Sequence, residues 1–114
     1  MSGTEGGRRR DAPDPPYWAV IFSSQRTDAD QAGYEAMSAR MKELVQRQPG
    51  FLGFDTARGA DGFGITVAYF ESLEAIAAWR ANAEHRAAQN LGRERWYNSY
   101  RLRVAKVERE SSFP

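Results

Sequence analysis

The hydrophobic pattern alternates between short apolar runs and longer stretches with helical periodicity. Residues 17–24, YWAVIFSS, combine aromatic and β-branched side chains and predict a strand. Its middle is apolar on both faces, the mark of a central strand covered on both sides. Tyr34, Met37, Met41, Leu44 and Val45 then recur at helical spacing, with Glu35, Arg40, Lys42, Glu43 and Arg47 opposite. Asp28 is the expected N-cap of this helix, with Gln31 completing a capping box, and Pro49-Gly50 supplies the stop. Residues 51–58 and 63–71 predict two strands, joined as a hairpin by the turn cluster Gly59-Ala60-Asp61-Gly62. Gly53 inside the first of them predicts a bulge or a close backbone approach.

Ser72 is the expected N-cap of a second helical stretch, residues 72–90, with a buried stripe of Leu73, Ile76, Ala77, Ala83, Ala87 and Leu91 interrupted by Arg80. Asn82 suits the cap of a fresh helix, which allows two short helices with a bend, and Gly92 is the expected stop. Residues 96–108 predict a long last strand. It places Asn98, Tyr100, Leu102 and Val104 on one face and Ser99, Arg101, Arg103 and Ala105 on the other.

The order β-α-β-β-α-β predicts an α+β, ferredoxin-like fold with two helices on one face of a four-stranded antiparallel sheet. The other face needs cover, because the first and third strands are apolar on both sides. A homodimer joined sheet to sheet meets that need.

A length of 114 residues fits one domain. Residues 1–16, rich in Gly, Pro and charge, are expected to be a disordered tail; 17–109 form the domain and 110–114 a C-terminal tail. A net charge of +1 offers no general attraction to nucleic acid or a membrane surface. The absence of cysteine removes disulfides and thiolate chemistry, and fits a reducing cytoplasm. Apolar runs fall short of the ~20 residues that span a bilayer, and none follows the N-terminal arginines as in a secretory signal.

Candidate chemistry concentrates between Trp79 and Tyr100. The lone histidine, His85, has the unperturbed pKa of a general base, about 6.5. Asn82, His85, Arg86 and Gln89 stand at i, i+3, i+4 and i+7, hence on one helix face near Trp79. Asn82 and Arg86 can steady an oxyanion. Trp96, Tyr97, Asn98 and Tyr100 begin the last strand, and Tyr69 lies on the third. Each has a structural alternative: His85 as a surface hydrogen-bonding residue, Trp79 as core, and Trp96, Tyr97 and Tyr100 as core or dimer seam. Arg86 can equally be solvated. One histidine and no cysteine do not make a usual protein metal site, and no glycine-rich phosphate loop opens a helix.

The segments GFLGFDTAR, GITVAYFESLEAIAAW and HRAAQNLGRERWYNSYRLRVAKVER resemble the antibiotic biosynthesis monooxygenase family over roughly residues 17–109. The resemblance implies a dimeric α/β barrel in which two ferredoxin-like subunits pack their sheets and each keeps a pocket between helices and sheet. It implies a cofactor-independent monooxygenase acting with O₂ on a small aromatic, phenolic or quinol-like substrate, with no metal or flavin. Trp79, His85 and Asn82 then become candidate catalytic residues. Arg86, Trp96, Tyr97, Asn98, Tyr100 and Tyr69 become candidates for substrate binding. The alternative is a non-catalytic small-molecule-binding dimer of the same fold. The haem-degrading branch uses a histidine ten residues after the helix tryptophan and an asparagine on the first strand. Here Gln89 stands in the first place, and YWAVIFSS has no asparagine, so haem degradation is disfavoured.

Overall fold

A computed structural model describes residues 3–6 and 14–114. The strands are β1 (Gly3–Gly6), β2 (Tyr17–Arg26), β3 (Phe51–Arg58), β4 (Phe63–Phe70) and β5 (Tyr97–Val107). The helices are α1 (Gln31–Gln46), α2 (Leu73–Ala81) and α3 (Ala83–Leu91), and a π-helical turn, Gly92–Trp96, leads into β5. The sheet order is β1-β3-β4-β2-β5, and every neighbouring pair is antiparallel. Apart from β1, this is the expected ferredoxin-like arrangement. The N-terminal stretch read as a tail departs from that expectation at Gly3–Gly6, which pair with residues 55–58 at the edge of β3. The remainder of that stretch up to residue 13 lies outside the described residues.

β2 is central, as its apolar middle predicts. Val20, Phe22 and Ser24 face the helices, and Ala19, Ile21 and Ser23 face away. The core gathers at one end of the sheet, where Val45, Phe51, Phe54, Phe70, Ala75, Ile76 and Trp79 form one buried cluster. Phe70 is fully enclosed there, edge-on to Phe51. Gly53 makes the expected bulge: it has φ of 148° and the β3–β4 register shifts beside it.

The start of α1 differs from the sequence reading. Its N-cap is Asp30, not Asp28, and Asp30 has a left-handed φ of 50°. The Asp30 carboxylate accepts from the Gly33 amide at 3.1 Å and from the Trp96 indole Nε1 at 3.3 Å. A side chain at position 33 would run into that carboxylate, so the cap also depends on glycine there. Gln31 forms no capping box. Its Oε1 accepts from Arg26 at 2.8 Å and its Nε2 donates to Glu35. A tertiary contact with Trp96 decides the cap, and the local spacing of 28 and 31 could not show it.

The second helical stretch is two helices. α2 ends at Ala81, and the Asn82 side chain accepts from the His85 amide at 3.1 Å to start α3. This break resets the buried stripe. Ile76 is buried as expected, whereas Leu73, Ala77, Ala83 and Ala87 are exposed and Ala75, Trp79 and Ala88 are buried in their place. Gly92 is the C-cap at which α3 ends, as expected, but its φ of −58° is helical and the chain continues into the π-helical turn. A side chain at position 92 would run into the Tyr97 ring. β5 accordingly begins at Tyr97, one residue later than expected.

Candidate active site

α1 carries an apolar stripe, yet only Val45 of it is fully buried. Tyr34, Met37 and Met41 roof a cavity of about 260 Å³ between α1, α3 and the helix-facing side of the sheet. Its floor is the row Phe54, Thr66, Ala68 and Phe22, extended by Leu102 of β5. The Thr56 and Thr66 hydroxyls pair at 2.6 Å on the same side of the sheet. A bidentate ion pair from Arg40 of α1 to Glu84 of α3 spans the roof on its outer side, Nε to Oε2 at 3.0 Å. It holds the Glu84 carboxyl below its ordinary range.

Trp79 and His85 lie on opposite sides of the Asn82 break and close one end of the cavity. Their rings stack with centroids 4.2 Å apart and planes 15° apart. The His85 Nδ1 is 3.1 Å from the Trp79 carbonyl oxygen. That oxygen can only accept, so Nδ1 carries the proton and Nε2 is the basic nitrogen of the neutral ring. Burial lowers the His85 pKa from its ordinary value, against the raising influence of that hydrogen bond; the charge of Arg80 lowers it further. The imidazole is therefore neutral at pH 7.

The other end is polar and aromatic. Trp96 is buried, with Tyr34 edge-on at 5.9 Å. Tyr97 packs edge-on against Phe22 at 5.4 Å and against Tyr34 at 6.0 Å. Burial, with Tyr34 beside it, pushes the Tyr97 phenol well above its ordinary range. Tyr100 is 41% exposed at the rim, and its hydroxyl accepts from Arg93 at 3.0 Å.

Of the residues named from sequence, Trp79, His85, Trp96, Tyr97 and Tyr100 line the cavity. The structure places the others outside it. Asn82 spends its side-chain oxygen on the α3 cap, and Arg86 is exposed on α3. Asn98 falls where the β2–β5 register shifts and is exposed. Tyr69 lies on the sheet face turned away from the helices, because its strand neighbours Ala68 and Phe70 face the cavity. Its hydroxyl donates to Asp55 at 3.0 Å and its ring meets Tyr17 edge-on. Tyr34, Arg58 and Gln89 line the cavity without having been singled out as binding residues. Tyr34 was legible only as a helix-stripe position, and Arg58 only as the end of a strand.

Comparison with known proteins agrees with this geometry. The family model for antibiotic biosynthesis monooxygenase matches residues 16–91, and the chain belongs to that family. It is 52% identical over 101 residues to the uncharacterized protein YqjZ of Bacillus subtilis (strain 168), covering 89% of this chain and 88% of that one. Among solved structures it resembles Rv0793 from Mycobacterium tuberculosis, with a TM-score of 0.73 and 16% identity, over 84% of this chain and 99% of the other. It also resembles SnoaB, a cofactor-independent oxygenase from Streptomyces nogalater, with a TM-score of 0.67 and 16% identity, over 88% of this chain and 99% of that one. At such identities the structural likeness speaks for the fold alone.

Proposed function

We propose that this protein is a cofactor-independent monooxygenase that oxidises a small aromatic phenol or quinol with O₂ in the cavity between α1, α3 and the sheet. The observation that carries this reading is the His85–Trp79 pair: a neutral, partly desolvated imidazole with a fixed tautomer, at the wall of an aromatic cavity. His85 Nε2 takes a proton from the substrate. The resulting carbanion or phenolate passes an electron to O₂, and the two radicals join at carbon. The O–O bond then breaks with loss of water, so that a CH₂ group plus O₂ gives C=O plus H₂O. A hydroquinone plus O₂ gives a hydroxyquinone plus H₂O by the same balance. The protein contributes proton removal, ring positioning and exclusion of water. Trp79, Trp96 and Tyr97 hold the ring.

The working unit in this reading is a homodimer. Phe63 and Ile65 are 46% and 42% exposed on the sheet face away from the helices, beside Ile21 and Val67. A second copy would cover this apolar face.

A second reading is a non-catalytic binder of small aromatics. It is favoured by one observation: Asn82 and Arg86, the side chains read from the sequence as steadying an oxyanion, lie outside the cavity. Incubation of metal-chelated protein with anthrone or hydroquinone under ¹⁸O₂ separates the two. One labelled oxygen in the carbonyl product supports the oxygenase. Binding without oxygen uptake supports the binder.

A further inference from the structure

We propose that Arg58 forms an anion-recognition end of the cavity, so that its ligand is an aromatic molecule bearing a carboxylate. This rests on the reading of the cavity as a ligand site and adds the class of ligand.

Two guanidinium groups lie close to the Tyr34 ring. Arg26 sits 3.9 Å from the ring centroid and Arg58 5.7 Å from it. Arg26 is only 6% exposed. Its Nη1 donates to the Trp96 carbonyl at 2.9 Å and its Nη2 to the Gln31 side-chain oxygen. Arg58 donates from Nη1 to the carbonyls of Ser24 and Gly62 and from Nη2 to the Ser24 hydroxyl at 2.9 Å. Every one of these acceptors is neutral. Among the described residues neither guanidinium meets a carboxylate. Charges drawn into a protein are ordinarily matched by an opposite charge. Arg58, which lines the cavity, still holds Nε–H and one Nη2–H outside these bonds.

The position suits a two-ended ligand. Trp79 clusters with Phe54, whereas Arg58 lies four residues further along β3, about 13 Å at ~3.3 Å per residue. The ring of the ligand then rests towards Trp79 and His85, with its acid group held at Arg58. That end also opens to a groove along α1 lined by Tyr34, Ser38, Lys42 and Arg58, a route by which a charged group can enter.

The test is calorimetric titration of the full chain at neutral pH with 2-naphthoate and with its neutral counterpart 2-naphthamide. The expected result is at least a tenfold preference for the acid, the scale of a charge-assisted hydrogen bond. Arg58→Gln should remove the preference and keep amide binding. A merely structural Arg58 would change both affinities together. Equal binding of acid and amide by the wild type, or a preference that survives Arg58→Gln, overturns the anion site and leaves the aromatic cavity standing. Failure of both probes to bind overturns the cavity reading itself, and the anion site with it. The wild-type comparison decides even where Arg58→Gln does not fold.

Discussion

The His85 imidazole lies flat on the Trp79 indole while its Nδ1 donates to the Trp79 backbone carbonyl. One residue thus supplies both the face and the acceptor that position the histidine. The sequence separation of six residues spans the junction of two helices, and the junction is what makes this possible. In one continuous helix the carbonyl of residue 79 would bond the amide of residue 83 instead.

The lowered pKa of His85 has a consequence for stability. The unfolded chain binds a proton at His85 near pH 6.5, whereas the folded chain resists it to lower pH. The penalty is therefore absent above about pH 6.5 and grows as pH falls towards the folded pKa. Thermal melts from pH 7.5 to pH 5 should show a fall in Tm that is smaller in His85→Gln than in the wild type. The acid limb of the kcat/KM profile should likewise lie below pH 6.5, the value for a solvent-exposed imidazole.

Phe70 has no exposed surface at the centre of the cluster that anchors Trp79. Phe70→Ala should cost about 3–5 kcal/mol in urea unfolding, through lost burial and the void left behind. Phe70→Leu should cost distinctly less.

Asp30 combines a helix cap with the indole of Trp96. Asp30→Asn keeps an acceptor and tolerates the left-handed backbone, so its effect on Tm should be small. Asp30→Ala should cost about 1–2 kcal/mol and blue- or red-shift the Trp96 fluorescence as its surroundings loosen. Equal stability of the two variants would remove the cap from the account.

The proposed dimer has its own test. Ile65 is 42% exposed on the outer sheet face. Ile65→Glu puts a charge into that contact and should raise the dimer dissociation constant at least tenfold in sedimentation equilibrium, with little change in far-ultraviolet circular dichroism. A monomeric wild type at micromolar concentration would refute the pairing.

The order of elements was legible because hydrophobic periodicity switches from two to helical spacing near residues 31 and 73 and back to two near residue 51. What was not legible came from contacts distant in sequence. The Asp30 cap depends on Trp96, and the buried stripe of α2 and α3 depends on the Asn82 break that was visible only as an option. Trp79 and His85 could be placed together because they share one short segment. Tyr34 and Arg58 could not, because an aromatic on a helix stripe and an arginine ending a strand read as roof and rim until the topology stacks them. Tyr69 fell on the outer face because strand alternation fixes sides only after the cavity side is known.

Dissolved-oxygen consumption by metal-chelated protein with anthrone, wild type against His85→Ala, bears most directly on the catalytic claim. General-base catalysis predicts uptake by the wild type and a loss of about 100-fold or more in His85→Ala, with Tm and secondary structure retained. Equal rates in the two proteins, or no uptake by the wild type, would contradict it.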